Sequence, residues 1–402
     1  MQIIQELLET LKSNEQEMIN LRRYFHQHPE ISFQEKETSK YIQEFYKTLD
    51  CTLTQKGEGY GFVVDIIGGK PGIKVALRAD FDALAVYEEN DLSFKSQNPG
   101  VMHACGHDAH TAYIMILAKA LIQLKEQLPG SIRIIHQPAE EVAPGGAKGM
   151  IEDGALEGVD HVFGVHVMTG METGTIAFHS AETQTGRSNF TIEIQGRGGH
   201  AAIPQISNDA IIAGCYFVTQ LQTVVSRRVD PFDTATLTIG SFDGVGTFNA
   251  IKDSVTLKGD VRVMKESTRE MIERQIRQMA KGLELTFGVS TKVEYDNNYP
   301  VLYNDKKLTE FLVEVLKKEE LADVTEVVDL GPQTPSEDFS YYGQVVPSTF
   351  FYIGAHPDEE GDYPHHSPRF KLNEKSLLIA AQAVGVVTLH DLFKNQDDTS
   401  QV

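Results

Sequence analysis

The sequence predicts a two-domain α/β protein: a principal α/β domain built on a central, mostly parallel sheet, interrupted by an inserted ferredoxin-like α+β domain. Three observations predict it. Short apolar, β-rich runs alternate with helical patterns through the first 180 or so residues, the signature of a sheet covered on both faces. From about Gly186 the rhythm changes to strands and helices in the order βαββαβ, the split ferredoxin-like unit. After "YPVLYNDKK" the α/β alternation resumes.

Each element has a local reason. "MQIIQELLETLKSNEQEMINLRRYFHQHPE" is an amphipathic, charged helix pattern, and "GFVVDII" and "IKVALRA" read as strands. "TAYIMILAKALIQLKEQL" reads as a helix with a buried face, followed by the strands "SIRIIHQ" and "HVFGVHV". In the insertion, "RSNFTIEIQG" is a strand and "SNDAIIAGCYFVTQLQTVVSRR" a helix opened by a Ser/Asn/Asp cap. The strands "TATLTIGSF" and "DSVTLKGDVRV" follow, then the helix "STREMIERQIRQMAKGLELTFG" with a Ser/Thr cap and a terminal glycine, then the strand "STKVEYDNN". The last third supplies the helix "LTEFLVEVLKKEE", the strand "STFFYIG" and the closing helix "EKSLLIAAQAVGVVTLHDLF", with a polar tail, "KNQDDTSQV", expected to be disordered. The boundaries expected are 1–182 and 298–402 for the principal domain and 183–297 for the insertion. Insertions of this kind are tolerated when their ends lie close together.

Composition narrows the function. With 57 acidic and 36 basic residues the chain carries a net charge of -21, which repels phosphate backbones and leaves no footprint for nucleic acid. No run of about 20 apolar residues predicts a membrane helix, and the N-terminus has neither the basic start nor the cleavage pattern of a signal peptide. Three scattered cysteines, Cys51, Cys105 and Cys215, argue against a disulfide framework and for a cytoplasmic location.

The chemistry-bearing residues sit at or just after predicted strand ends, where open α/β sheets hold their ligands. "VMHACGHDAHTA" crowds Cys105 among His103, His107 and His110. A structural zinc knot needs more cysteines at close spacing. A Cys–His nucleophile leaves the other clusters unexplained. A thiolate and an imidazole two residues apart can instead reach one or two divalent ions from a single loop. "HQPAEEVAPGG" adds the adjacent carboxylates Glu140 and Glu141, of which one can bind metal while the other serves as a base. Alone, that pair reads as a solvated acidic loop. His166 in "FGVHVM" reads alone as a core histidine, and His365 and His366 in "YPHHSPRF" are weak by themselves. It is their conjunction on one sheet that favours a metal.

These blocks resemble the dinuclear metal-dependent amidohydrolases that cleave N-acyl amino acids, which include aminoacylases, hippurate hydrolases, N-acetyl-diaminopimelate deacetylases and plant indole-acetyl-amino acid hydrolases. The resemblance runs in order through "RRYFHQHPEISFQEKET", "ALRADFDAL", "MHACGHDAHTA", "HQPAEE", "GVHV", "GRGGHAAIP", "NAIKDSVTLKGDVR", "SEDFSYY" and "HHSPRF", nearly the whole chain. It implies that Cys105 bridges two divalent ions per subunit, that His107 and His166 complete one, and that Glu141 and His366 complete the other. His366 is preferred to His365 because the family's ligand directly precedes the Ser-Pro. Manganese, zinc, cobalt and nickel all suit such donors. Glu140 would be the general base acting on a metal-bound water, and Asp82 would orient a ligand, its plain alternative being a capping or salt-bridged carboxylate. His200 in "GRGGHAA" would donate to the oxyanion of the partner subunit's site, implying a homodimer, while Asn249 and Arg262 would meet the substrate's polar groups. For Arg262, an ordinary strand-end arginine is an equal alternative. Gln205 and Ala85 depart from the usual histidine and proline, which bears on acyl specificity. The expectation is hydrolysis of small N-acyl amino acids. The alternatives are a dipeptidase or carboxypeptidase on the same scaffold, or a silent metal-dependent binding protein.

Overall fold

The computed structural model of the chain describes residues 1–358 and 363–399. The fold divides into two compact units, Met1–Ala181 with Tyr303–Pro332 and Asp338–Val402, and Glu182–Leu302 with Gln333–Glu337.

The first unit is organised by an eight-stranded sheet in the order Thr52–Gln55, Phe62–Ile67, Pro129–Gln137, Lys70–Asp80, His161–Met168, Ser348–Gly354, Thr175–Phe178, Glu326–Asp329. The four strands from Pro129–Gln137 to Ser348–Gly354 run parallel. Leu77, Ile134, Phe163 and Phe351 within them are wholly buried, as strands covered on both faces require. Antiparallel pairing enters beside this block. Phe62–Ile67 leads into Lys70–Asp80 through little more than two glycines, too short for a parallel crossover, and Pro129–Gln137 slots between the two. The four-residue outer strands Thr52–Gln55, Thr175–Phe178 and Glu326–Asp329 are too short to leave a period-2 pattern in the sequence.

The helix His107–Leu124 is buried along most of its length and packs with the long helix Lys375–Thr399. Gly385 permits the close approach, since a Cβ there would meet Leu117 Cδ1 and Leu7 Cδ2 at 2.8 Å each. Side chains such as Leu117 and Leu389, fully buried here, each contribute about 1.5–3 kcal/mol. The Lys375–Asn395 stretch is long and apolar enough to cross a membrane, but 89% of its apolar window is buried within the protein, which makes it a core helix. It continues through the first residues of the tail expected to be disordered, and residues 400–402 of that tail lie outside the described residues. The N-terminal pattern resolves into two helices, Gln2–Ser13 and Glu15–Gln27, broken at Asn14.

The second unit is a four-stranded antiparallel sheet in the order Ala235–Asp243, Ser254–Val263, Gly186–Gln195, Ser290–Asn297, with helices Ala210–Arg228 and Glu266–Phe287. That is the ferredoxin-like order, and its core joins Ile192, Ile194, Phe217, Leu221, Leu257 and Ile276. Asp209 caps the first helix, its Oδ1 accepting from the Ile211 and Ile212 N–H groups at 2.9 and 3.2 Å. The second helix departs from expectation: it begins at Glu266 after Lys265, without a side-chain cap, so the Ser/Thr pair lies inside its first turn. Its C-terminus does use glycine, Gly288 at φ 63°.

Candidate active site

The parallel strands end together, and their ends carry the reactive groups. Asp80 closes Lys70–Asp80 opposite Gln137, which closes its own strand three residues before Glu140. His166 lies near the end of His161–Met168. Cys105 and His107 flank Gly106, the left-handed residue (φ 91°) that starts the helix. A Cβ on Gly106 would sit 2.4 Å from Val167 Cγ2, so only glycine lets this corner press against the His166 strand.

Two aspartates fasten the first turn of that helix to the strand ends. The His107 Nδ1–H points at the Asp82 backbone oxygen (3.0 Å) and at Asp82 Oδ1 (3.2 Å). The Val167 N–H donates to His110 Nε2 at 3.0 Å, so the His110 Nδ1–H donates to Asp80 Oδ1, at 2.6 Å. Asp80 is held in turn by the buried Arg78 guanidinium at 2.6 Å, which also bonds Gln137 and Asp338, each at 2.9 Å. On the other side of Asp82, Oδ2 accepts from Ser32 Oγ (2.7 Å) and from the Glu141 N–H (3.0 Å).

Around Cys105 the donors converge. Its Sγ is 3.4 Å from His166 Nε2, whose ring is oriented by an Nδ1–H bond to the Val167 carbonyl at 2.7 Å. Glu141 Oε1 lies 3.3 Å from His366 Nε2 and 3.9 Å from His107 Nε2. Cys105, His107 and Glu141 form one set with donor atoms within 4.8 Å of one another, and Cys105, His166 and His365 form another. The thiol is therefore common to two potential cation positions. His107 Nε2 and Glu141 Oε1 are buried without a hydrogen-bond partner, a state that buried polar atoms avoid unless something else satisfies them. This donor set, soft sulfur with imidazoles and carboxylate, fits divalent transition-type ions.

The electrostatics favour a cation. Burial opposes charge on His107, yet Asp80, Asp82 and Glu141 outweigh it and push the imidazole up to about 10. Burial, then the neighbouring His110 and His365, hold His166 well below its ordinary value, leaving it a neutral donor. Burial, then the Glu141 and Glu140 carboxylates, raise the Cys105 thiol well above its usual range. That is the reverse of the electropositive setting that activates a cysteine nucleophile.

The sequence-based candidates thus fall into two groups. Cys105, His107, Glu141, His166, His366 and Asp82 come together in the first unit, and Glu140, 7% exposed, adjoins them in sequence. In the second unit, His200 and Asn249 come together: His200 pairs with Ala250 across a short ladder, and the Ala201 N–H donates to the Asn249 carbonyl at 3.1 Å. Arg262 stands apart, its Nε on Asp260 Oδ1 at 2.8 Å and its Nη1 on Ser336 Oγ at 3.1 Å. Three further residues belong to the first group. His365 has Nδ1 3.7 Å from Cys105 Sγ, and Asp80 and His110 hold the helix. The His107-x-x-His110 spacing, one face of a helix turn, was the signal for His110.

A parallel-centred α/β sheet with thiol, imidazole and carboxylate donors at its strand ends defines an α/β protein with a candidate centre for divalent ions. The chain belongs to peptidase family M20/M25/M40, which it matches over residues 76–389, and is accordingly a hydrolase of carbon–nitrogen bonds. It is 35% identical over 371 residues to N-acetyl-L-cysteine deacetylase of Bacillus subtilis (92% of this chain, 87% of that one). It is 33% identical over 390 residues to thermostable carboxypeptidase 1 of Saccharolobus solfataricus (95% and 97%). Among solved structures, one from methicillin-resistant Staphylococcus aureus is 55% identical with TM-score 0.94, covering 96% of this chain and 99% of that one. The Bacillus subtilis YXEP protein, a dinuclear metal-binding peptidase of the M20 family, is 30% identical with TM-score 0.82 (95% and 99%).

Proposed function

We propose that the protein hydrolyses the amide bond of small N-acyl amino acids, releasing a carboxylate and a free amino acid. One observation carries the reading: thiol, imidazole and carboxylate donors converge around Cys105, two of them with buried atoms that make no hydrogen bond, beside a second glutamate in the adjacent position. The residues suit two divalent ions of the manganese, zinc, cobalt or nickel type. Cys105 would be shared between them; the resemblance puts His107 and His166 toward one and Glu141 and His366 toward the other, whereas the donor distances group His107 with Glu141 and His166 with His365. When bound, such ions acidify water and polarise the acyl carbonyl.

The chain's own groups do the rest. Asp82 fixes the His107 ring by its Nδ1–H and so presents Nε2. Glu140 takes a proton from the attacking water and hands it to the departing amine nitrogen, a role worth about 10²–10⁴-fold. His200 donates to the developing oxyanion of the partner subunit's site, and Asn249 and Arg262 meet the substrate's polar groups, Arg262 by exchanging Asp260 for a carboxylate. A homodimer is supported by the exposed Ile212 and Tyr216 on one helix of the second unit and by the outer strand Ala235–Asp243 at the edge of its sheet. Three unpaired cysteines suit the cytoplasm.

The test is a screen of acetyl-, benzoyl- and indole-acetyl-amino acids with metal-reconstituted protein, dipeptides run beside them because of the carboxypeptidase relative. Turnover of N-acyl amino acids that Glu140→Gln abolishes, with its metal retained, supports the proposal. Faster turnover of dipeptides assigns the chain to peptidase work, and metal-independent turnover overturns the reading.

A further inference from the structure

Of the segment "HPEISFQE" only Ser32 enters the site described above, through its bond to Asp82, although Glu35 in the same segment lies against the loop that carries Glu140. We propose that Glu35 is a positioning residue for the catalytic base: its carboxyl grips the Ala139 N–H and fixes the backbone on which Glu140 stands.

Glu35 is wholly buried, and although it precedes the helix Lys36–Tyr46 its side chain does not cap that helix. Instead Oε1 accepts from the Ala139 N–H at 2.8 Å, while Oε2 is buried without a hydrogen-bond partner. Ala139 sits at φ 55°, a left-handed conformation that a residue with a Cβ adopts only when its surroundings impose it. The far side of the same loop is held alike, since the Glu141 N–H donates to Asp82 Oδ2 at 3.0 Å. Glu140 is therefore the one residue between two backbone N–H groups, each taken by a carboxyl. Both anchors trace to one stretch of chain, because Ser32, three residues before Glu35, donates to Asp82 Oδ2 at 2.7 Å. Burial, then the Asp82 charge, raise the Glu35 carboxyl to about 8, so near neutrality it acts as an uncharged acceptor that a glutamine amide can imitate.

The inference rests on Glu140 being the base, and the experiment separates the two. Glu35→Ala, Glu35→Gln and Glu140→Gln are assayed with the best substrate of the N-acyl amino acid screen, with kcat, KM, metal content and thermal melting measured for each. Misplacing a reacting group by about 1 Å costs on the order of 100-fold, so Glu35→Ala should lose about 10–100-fold in kcat with KM nearly unchanged. Glu35→Gln, which keeps an acceptor for the Ala139 N–H, should restore kcat to within about 3-fold. Should Glu35→Ala not fold, Glu35→Asp carries the test, because it withdraws the carboxyl by one methylene and should lose kcat as the alanine would. Wild-type kcat in Glu35→Ala or Glu35→Asp, or a glutamine variant as impaired as the alanine, overturns the inference while an inactive Glu140→Gln leaves the base standing. An active Glu140→Gln removes both.

Discussion

Asp82→Ala perturbs the site at the point where most of its contacts meet. Asp82 is fully buried and holds three groups through its side chain: the His107 ring, the Glu141 N–H and the Ser32 hydroxyl. Removing it strips one carboxylate from the three that outweigh burial at His107, and breaking a buried pair of this kind costs about 3–5 kcal/mol. Asp80 and Glu141 still face the ring, so the lower end of that range is expected for the metal-free protein. Because the ring then loses its orientation, metal affinity should fall about 10–100-fold, the usual effect of losing a ligand's outer partner. Urea denaturation of chelated protein, followed by metal titration of both forms, reads the two quantities separately. The pH dependence has a definite sign. The Asp82 carboxyl is held below its ordinary range, with burial opposing and His107, Glu141 and Ser32 prevailing. Its contribution is present above the unfolded carboxylate value of about 3.9 and is lost as pH falls through the folded value, so wild type and variant should converge in acid. Equal metal affinity in the two proteins at pH 7.5 would refute the reasoning.

Three further outcomes follow from the same geometry. Gly106→Ala forces a Cβ into Val167 at a positive φ, and should cost about 1–3 kcal/mol and weaken metal retention by moving Cys105 and His107 together; full metal content by mass spectrometry would contradict this. Burial opposes the charge on His107, but Asp80, Asp82 and Glu141 push it up to about 10 without metal against about 6.5 unfolded, so its contribution should be complete below pH 6.5 and be lost as pH rises toward 10. Metal binding near neutrality should accordingly release at least two protons, one from His107 and one from the Cys105 thiol that burial and the neighbouring carboxylates keep protonated, measurable by calorimetry in buffers of different ionisation enthalpy. Mixing His200→Ala with Glu140→Gln should restore part of the activity in mixed dimers if the histidine serves the partner's site, and no recovery in verified heterodimers would refute that arrangement.

How much of this was legible beforehand depended on the range of each interaction. The parallel strands announced themselves because burial on both faces demands unbroken apolar runs such as "FFYI" in Ser348–Gly354, and His166 and the glutamate pair gained meaning by standing at their ends. Cys105 and His107 were readable as a loop pair because their spacing is local. Glu35 was not, since its partner is Ala139, 104 positions away, and no periodicity marks an acid that grips a distant backbone. Arg262 was read either as a fork for a carboxylate or as an ordinary strand-end arginine; its Nε bond to Asp260, two residues back on the same face, is a local contact that neither reading names. The helix start at Glu266 escaped because Ser267 and Thr268 fit a cap by composition, while the backbone turns one residue earlier.

Sharing of the Cys105 sulfur by two cations is the proposal on which the hydrolytic reading stands. Anomalous diffraction from crystals loaded with manganese or zinc measures this directly. Two peaks are expected to flank Cys105 Sγ at thiolate–metal distance, about 2.3 Å for zinc, with the His107 and Glu141 side chains turned onto them. A single peak remote from the sulfur, or none in fully active crystals, would contradict it.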